Sequence, residues 1–323
     1  MGRALPPRGG APCATIRGLG MDTRRQAIQG YLFILPAVAF LVLFLVYPTF
    51  WTIALSFNES RGLDFGPNWV GLQHYINLFT KDRLFLDLSR FPPGGALMNN
   101  VLWIIMNTSL VVGLGLLIAV LADRVRYEAV VKGIVFLPMA ISATAIAIIW
   151  LFMYSPDPNI GLLNAILTRL FPGFEPIAWT GRTDTVNYAV ILAHVWAQTG
   201  FAMVVLSAAL KGIPTEIMEA ARVDGANEWS IFRRITLPML SLPISVVTVT
   251  LIIWVLKVFD IIYIMTAGGP RGASRVIAYT MYVETFQGGR AGYGSAVAVI
   301  MLLLTIPIMI INIKRFRTER VRE

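Results

Sequence analysis

The sequence predicts an all-α membrane protein that crosses the bilayer six times. Three observations predict this class: 56% of the 323 residues are hydrophobic, only 14% are charged, and six long runs contain no Asp, Glu, Lys or Arg. A soluble chain carries about 25% charged residues, and one helical crossing needs about 20 apolar residues. Because backbone groups inside lipid must be hydrogen-bonded within their own segment, each run is expected to form a helix.

The chain begins with a basic leader over residues 1–30, which is rich in Arg, Gly and Pro. This composition predicts a disordered cytoplasmic segment. Met21 is the more natural start, so the first 20 residues are interpreted as an over-extended reading frame. No short apolar region with a small-residue cleavage site follows, so no cleaved signal peptide is expected.

The six apolar runs predict the membrane spans and the domain boundaries. The predicted spans are Tyr31–Phe57, Val101–Ala122, Gly133–Tyr154, Thr185–Leu210, Pro238–Leu256 and Tyr293–Ile313. On this interpretation residues 31–95 hold the first span and an outer loop, and residues 96–315 form the main transmembrane domain. Residues 316–323 form a basic cytoplasmic tail.

The distribution of lysine and arginine predicts the orientation. The two ends and the loops at 123–132 and 211–234 together hold 17 of the 27 Lys and Arg residues, against nine in the loops on the other side. Positively charged loops stay in the cytoplasm. Both termini and the 211–234 loop are therefore expected to be cytoplasmic. The basic surplus then faces anionic lipid head groups rather than nucleic acid.

The residues that carry most enzyme chemistry are scarce. One cysteine, Cys13, and two histidines, His74 and His194, exclude a disulfide framework and a zinc motif. The sequence has no G-x-x-x-x-G-K-[ST] phosphate loop, so an ATP-driven process would need a separate chain to bind ATP and Mg²⁺. We therefore expect no catalytic site, no metal site and no cofactor in this chain.

The most charged segment between apolar runs is Lys211–Leu240. Its local signals predict two short helices around a sharp turn. Pro214 suits a first helical position, Gly225 suits the left-handed residue that closes a helix, and Asn227 can cap the second helix. Pro238 marks a later change of direction. The sequence thus predicts a polar helix-turn-helix on the cytoplasmic side, between the fourth and fifth spans.

Within this segment, five groups of residues lie at set distances from one another along the sequence. They are Glu219-Ala220-Ala221, Asp224-Gly225-Ala226, Phe232, Ile235 and Leu237-Pro238. This pattern resembles the cytoplasmic loop of permease subunits of binding-protein-dependent ABC importers, in the carbohydrate branch and closest to the α-glucoside and maltose permeases. The resemblance implies four kinds of partner: a second, similar permease, two copies of an ABC ATPase, an extracytoplasmic sugar-binding protein and the lipid bilayer.

The resemblance also implies a role for the loop, which would seat in a cleft of the ATPase and move with it. The residue types suit that role. Ala220 and Ala221 are small enough for another protein to come close, Glu219 offers a carboxylate to a partner's Arg or Lys, and Gly225 permits a positive φ. A solvated connector at the membrane face is the alternative interpretation of a polar loop.

Polar and aromatic groups inside spans predict a path for the transported molecule. His194, Gln198 and Phe201 share one face of the fourth span, and Trp254, Lys257 and Asp260 follow an i, i+3 strip at the end of the fifth. Hydrogen-bonding groups beside flat rings suit a sugar. Helix packing is the competing interpretation for all six residues. It also competes for a further group on the second span, formed by Asn99, Asn100, Asn107 and Thr108.

Two other functions compete with sugar import. One is an ABC permease for another solute, such as glycerol-3-phosphate, an amino acid or a peptide. The other is a self-contained secondary transporter, but such proteins often contain internal repeats and acidic residues in the middle of a span. The sequence contains no recognisable repeat, and its predicted spans are free of acids.

Overall fold

The structure is a computed structural model that describes residues 31–62, 66, 68–89 and 93–319, with side chains as far as Lys314. The predicted leader, including Cys13 and the alternative start at Met21, lies outside the described residues. Of the predicted tail, only the backbone of 316–319 is described. The chain divides into two compact units, Met1–Trp51 and Thr52–Glu323.

Helices account for the regular structure of the described residues, as the sequence predicts. In chain order they are α1 (Tyr31–Leu55), α2 (Gln73–Thr80), α3 (Ala96–Ala122), α4 (Glu128–Ala140), α5 (Ala143–Met153), α6 (Leu162–Leu170), α7 (Val186–Lys211), α8 (Thr215–Val223), α9 (Glu228–Met239), α10 (Ser241–Leu256), α11 (Asp260–Met265), α12 (Ile277–Tyr282) and α13 (Ala291–Glu319).

Among the described residues, four helices are long and apolar enough to cross a membrane: α1, α3, α7 and α13. Two bent pairs, α4 with α5 and α9 with α10, raise the number to six if each pair is one span. These four to six candidate spans coincide with the six apolar runs. The predicted class, an all-α polytopic membrane protein, is confirmed.

The third apolar run is not one straight helix. Helices α4 and α5 meet at an angle of 102°. A 3₁₀ turn at Leu137–Ala140 contains Pro138, Ile141 is extended, and the Ser142 hydroxyl accepts a hydrogen bond from the backbone N–H of Ala145. Proline cannot donate to a helix, and serine is a strong N-cap. The break therefore follows from Pro138 and Ser142, two signals within a run that composition alone predicts as continuous.

Helices α3 and α7 form the centre of the second unit. Buried side chains such as Trp103, Val111 and Met203 fill their interface. A Cβ atom added to Gly115 would lie 2.6 Å from the Cβ of Ala202, so the two helices approach as closely as small residues allow. The facing pairs are Asn99 with Asn187, Asn107 with His194 and Gly115 with Ala202. Both numbers rise together, so the two helices are parallel.

The loop after α1 folds into a small cap, which we define as the described residues 56–62 and 68–89. Leu78 and Phe85 of the cap are fully buried in a cluster with Tyr293 and Val297 of α13. The Tyr293 hydroxyl donates to Asp82, at 2.9 Å. The cap is therefore anchored to the N-terminal end of α13.

Candidate functional site

The loop between α7 and α10 has the predicted helix-turn-helix conformation. Gly225 has a φ of +84°, and it donates its N–H to the carbonyl of Arg222 at 3.1 Å. The N–H of Ala226 reaches the carbonyl of Ala221 at 2.9 Å. These two bonds form a Schellman motif, in which a left-handed residue closes a helix. The predicted left-handed conformation of Gly225 is confirmed.

The second helix of the loop starts as the sequence predicts. The Asn227 side chain accepts a hydrogen bond from the N–H of Ser230, at 2.8 Å, and so caps α9. Pro214 occupies the cap position of α8, one residue before the first helical residue, Thr215. This is one position earlier than predicted. Helix α9 widens into a π turn over Phe232–Thr236, and the chain bends by 64° between α9 and α10, just after Pro238.

Helix α8 is open along its length. None of its residues is buried, and Glu219 and Ala220 are exposed. Apolar side chains are exposed there too: the exposed fraction is 42% for Ile217, 88% for Val223 and 68% for Trp229 at the start of α9. Apolar side chains beside small residues and a carboxylate are suited to contact with another protein.

An ionic cluster holds the loop to the turn after α3. The Glu228 carboxylate accepts from Arg124 and from Arg222, each at 2.9 Å. The hydrogen bond from Arg222 to Glu228 raises the pKa of the Arg222 guanidinium. The contact between Arg124 and Glu228 was not predicted from the sequence. Their separation of 104 residues leaves no local signal that they meet.

A second cluster lies at the same end of the helices. Glu128, the first residue of α4, accepts from Lys132 and also from Lys211, the last residue of α7, at 2.7 Å to the latter. Lys132 also bonds the hydroxyl of Ser207 on α7. The two clusters together connect the turn after α3 and the start of α4 with the end of α7 and with both helices of the loop.

The three residues predicted on one face of the fourth span have different surroundings. The His194 ring bonds the Asn107 side chain at 2.8 Å and lies edge-on to Trp103, with ring centroids 5.4 Å apart. His194 thus joins α7 to α3. The side-chain oxygen of Gln198 is buried and bonds no described residue. Phe201 packs on Trp254 of α10, with ring centroids 4.8 Å apart.

The i, i+3 strip predicted at the end of the fifth span is interrupted. Helix α10 ends at Leu256, as predicted, and Lys257 caps it by donating its N–H to the carbonyl of Trp254. A new helix, α11, starts at Asp260. Lys257 and Asp260 are both exposed, and the described residues show no ion pair between them. The prediction that Lys257 and Asp260 continue the helical strip from Trp254 is therefore wrong.

The asparagines at the N-terminal ends of α3 and α7 hold the segment between α11 and α12. Asn99 donates to the carbonyls of Ala273 and Arg275 at 2.8 and 2.7 Å, and Asn187 donates to Ala273 at 2.7 Å. Asn100 accepts from the N–H of Ile277 at 2.8 Å. These contacts give Asn99 and Asn100 a structural role, one of the two roles that the sequence left open.

Comparison with known proteins identifies the family. A model of the family described as "Binding-protein-dependent transport system inner membrane component" matches residues 111–313, which include the helix-turn-helix loop. The chain belongs to this family. As a permease family member it is an inner membrane component of a transport system, and its apolar helices form the membrane part.

Two named relatives of this permease are similar over most of their length. The osmoprotective compounds uptake permease protein GgtC of Synechocystis sp. is 47% identical, over 89% of this chain and 99% of the relative. The alpha-glucoside transport system permease protein AglF of Rhizobium meliloti is 42% identical, over 91% of this chain and 84% of the relative.

A solved structure shows the same fold. It is a chain from the crystal structure of a bacterial ABC transporter involved in the import of the acidic polysaccharide alginate. That chain is 24% identical, and the match covers 93% of this permease and 98% of that chain with a TM-score of 0.74. The arrangement of helices in this permease is therefore that of a known ABC transporter chain.

Proposed function

We propose that the chain is the membrane-spanning permease subunit of an ABC importer for a sugar, an α-glucoside or another oligosaccharide. The sugar would pass from an extracytoplasmic binding protein into the cytoplasm, driven by ATP hydrolysis on separate ATPase subunits. The observation that carries this proposal is the open helix-turn-helix loop of α8 and α9 in a chain of this permease family. The name of the 42% identical relative, an alpha-glucoside permease, supports the sugar.

The direction of the helices supports six spans. Helices α3 and α7 are parallel, so the chain must cross back between them, and the bent pair α4–α5 is the segment available for that crossing. Asn100 near the start of α3 bonds the carbonyl of Val255 near the end of α10, so α10 runs opposite to α3. The cap joins the start of α3 to the start of α13, because Ala96 bonds Leu84 and Tyr293 bonds Asp82.

This alternation puts the loop of α8 and α9 at one end of the helices and the cap at the other. The excess of Lys and Arg on the side of the loop supports a cytoplasmic location for the loop and for both termini. The cap then faces the extracytoplasmic side, where a binding protein would arrive.

The shape and exposure of the loop support a coupling role. We propose that α8 seats in a cleft of the ATPase, with Ala220 and Ala221 allowing close approach and Glu219 pairing with a basic side chain. Gly225 fixes the angle between the two helices. Closure of the ATPase would move the loop as a rigid body, and the contacts of Glu228 would carry that movement to the turn after α3.

For the sugar path we propose Gln198, Phe201 and Trp254. The oxygen of Gln198 is a buried acceptor without a described partner inside the fourth span, and the half-buried Phe201–Trp254 pair offers a flat apolar surface. His194 supports the path indirectly by fixing α7 on α3. Lys257 and Asp260, exposed at the break after α10, would lie at the outer end of this path.

The test is reconstitution of the chain in proteoliposomes with its second permease, the ATPase and the binding protein. We expect ATP hydrolysis that the sugar-loaded binding protein stimulates, together with uptake of a radiolabelled α-glucoside. Uptake by this chain alone would contradict the proposal, because it would make the protein a self-contained transporter.

The 47% identical relative supports a second cargo class, since its name describes osmoprotective compounds. The same proteoliposomes separate the two classes if uptake of a radiolabelled α-glucoside and uptake of a radiolabelled osmoprotective compound without a sugar ring are measured separately. Uptake of the second compound, but not of the α-glucoside, would assign the permease to the second class.

A further inference from the structure

A group of aromatic side chains lies beyond the break after α10, at the end of the helices opposite the α8–α9 loop. The side chains come from α11, from the residue before it, and from α12 with the π turn that continues it over Val283–Gln287. We define the aromatic cluster as Phe259, Tyr263, Tyr279, Tyr282 and Phe286. None of these residues belongs to the coupling loop or to the sugar path proposed above.

The rings of the cluster pack into one connected surface. Phe259 and Tyr263 are stacked, with ring centroids 5.4 Å apart and an angle of 18° between their planes. The Tyr282 ring lies 5.1 Å from Phe259 and 5.5 Å from Tyr263. Phe286 extends the row by lying 5.5 Å from Tyr282. Because each ring is held by a neighbour, the surface has its shape before anything binds.

The cluster is buried at its base and open at its edge. Tyr279 is 6% exposed and lies 6.3 Å from Phe259, which packs against the buried core that α3 and α7 share. Tyr263 is 41% exposed and Phe286 is 66% exposed. The base therefore fixes the cluster to the helices, whereas the edge offers ring faces to another molecule.

The groups around these rings suit a carbohydrate. An aromatic face takes the C–H face of a sugar ring, and a tyrosine hydroxyl adds a hydrogen-bonding group at the edge of the apolar surface. Lys257 and Asp260 stand two residues before and one residue after Phe259, and both are exposed. Lys257 donates hydrogen bonds and Asp260 accepts them, so the two together suit sugar hydroxyls, which do both.

The cluster continues the proposed sugar path. Phe201 and Trp254 form an aromatic pair in that path, and Trp254 precedes Phe259 by five residues across the end of α10. Trp254 and Phe259 pack against the same buried core. Beyond Phe259 the row runs through Tyr282 to Phe286, and three successive rings present more surface than one sugar ring covers.

Anchoring at the membrane interface is the alternative role for exposed tyrosines. Tyr188, near the start of α7, is typical of that role, since it is 52% exposed and stacks on no other described ring. The rings of the cluster instead lie against one another, beside two open charges. Tyr188 therefore provides the control for an exposed tyrosine outside the cluster.

We propose that the aromatic cluster is a second sugar subsite, which holds the outer units of an oligosaccharide while its first unit lies against Phe201 and Trp254. The proposal rests on the proposed function and narrows its cargo class. The permease would carry α-linked oligosaccharides longer than a disaccharide, and the cluster would set the chain length that it prefers. The exposed rings of Tyr263 and Phe286 would contact the outer units.

The test compares uptake of two radiolabelled sugars, an α-glucoside disaccharide and a tetrasaccharide of the same linkage, by the complete importer in proteoliposomes. The variants are Tyr263→Ala and Phe286→Ala. We expect each of them to lower tetrasaccharide uptake about five-fold relative to disaccharide uptake, because each removes a ring that only the longer sugar reaches. Tyr263→Phe keeps the ring and should keep the wild-type ratio, as should the control Tyr188→Ala.

The ratio of the two uptake rates does not depend on the amount of folded importer, since both sugars are measured on the same preparation. Binding of the sugar-loaded binding protein to the importer in lipid nanodiscs is measured as well. We expect Tyr263→Ala and Phe286→Ala to keep the wild-type Kd for that protein. A rise in this Kd that accounts for the loss of tetrasaccharide uptake would overturn the subsite.

The uptake results separate failure of the subsite from failure of the proposed function. If the unmodified importer takes up neither sugar, the proposed function fails. If it takes up both sugars and the cluster variants keep the wild-type ratio, only the subsite fails. Uptake of the disaccharide alone by the unmodified importer would also overturn the subsite. So would a control, Tyr188→Ala, that lowers the ratio as much as the cluster variants do.

Discussion

The carboxylate of Glu228 bonds the guanidinium of Arg124 at 2.9 Å, across 104 residues of sequence. Glu228 is the first residue of α9, and Arg124 lies in the turn after α3. The same carboxylate bonds Arg222 of α8. The Glu228 side chain thus joins both helices of the loop, α8 and α9, to the turn after α3. Helix α3 in turn contacts α7 and α10.

We predict that loss of this contact uncouples ATP hydrolysis from transport. In Glu228→Gln and Arg124→Gln, uptake per ATP hydrolysed should fall several-fold, because movement of the loop would reach α3 less directly. Exposed ion pairs contribute little to folding, so the melting temperature should hardly change. Arg126→Gln is the control, since Arg126 is exposed in the same turn and bonds no described residue. Equal uptake per ATP hydrolysed in all three variants would show that Glu228 has no role in coupling.

Substitutions at Gly225 should follow backbone preference rather than size. Nothing lies within 4 Å of an added Cβ atom, so space is not the constraint. A left-handed φ costs a non-glycine residue about 1–2 kcal/mol, least for Asn, whereas Pro also removes the N–H that bonds Arg222. We predict transport in the order Gly, Asn, Ala, Pro, with Gly225→Pro inactive but still inserted in the membrane. A fully active Gly225→Pro would show that the turn has no coupling role.

Charge reversal at Glu219 should abolish transport without loss of protein from the membrane. The side chain is exposed on α8 and bonds no described residue, so Glu219→Lys leaves the fold intact. The reversed charge at position 219 would repel a basic residue of the ATPase. Uptake assays with membrane immunoblots check this outcome, and Glu216→Lys on the same helix tests whether the effect depends on position. Normal uptake by Glu219→Lys would contradict the docking role.

Changes in the proposed sugar path should alter selectivity. Trp254→Ala removes the flat partner of Phe201, and Gln198→Ala removes the unsatisfied acceptor. We expect both to change the ratio of uptake rates for two α-glucosides of different length, and Trp254→Phe to retain the wild-type ratio. Competition uptake with the two radiolabelled sugars measures that ratio. Unchanged ratios would leave these residues a packing role alone.

The asparagine contacts at the start of α3 should contribute mainly to stability. Asn99→Ala would leave the carbonyl of Arg275 without its described donor, which costs about 1–3 kcal/mol for a buried group, and would leave the carbonyl of Ala273 with Asn187 alone. Thermal unfolding in detergent should show a lower melting temperature. Asn159→Ala, at an exposed asparagine, serves as the control. Equal melting temperatures would show that Asn99 does not hold this segment.

Local sequence signals predicted the structural features that depend on residues close together in the chain. The apolar runs located the spans, and Gly225 and Asn227 located the turn and the cap, because each reports the chain's own backbone requirements. The break in the third apolar run depends on Pro138 and Ser142. Both lie inside an apolar stretch whose composition predicts one continuous helix. The Glu228–Arg124 contact and the aromatic cluster depend on residues brought together by folding, so no local pattern could predict them.

The most direct test of the coupling role is a crosslink from the centre of α8. The variant carries Ala220→Cys with Cys13→Ser, which leaves one thiol in the chain, and that thiol is labelled with a benzophenone maleimide in the assembled importer. We predict a product with the ATPase subunit, a yield that changes when ATP is added, and protection of the thiol from impermeant reagents added outside intact cells. An active importer whose Ala220→Cys thiol reacts from outside, or never crosslinks the ATPase, would contradict the account.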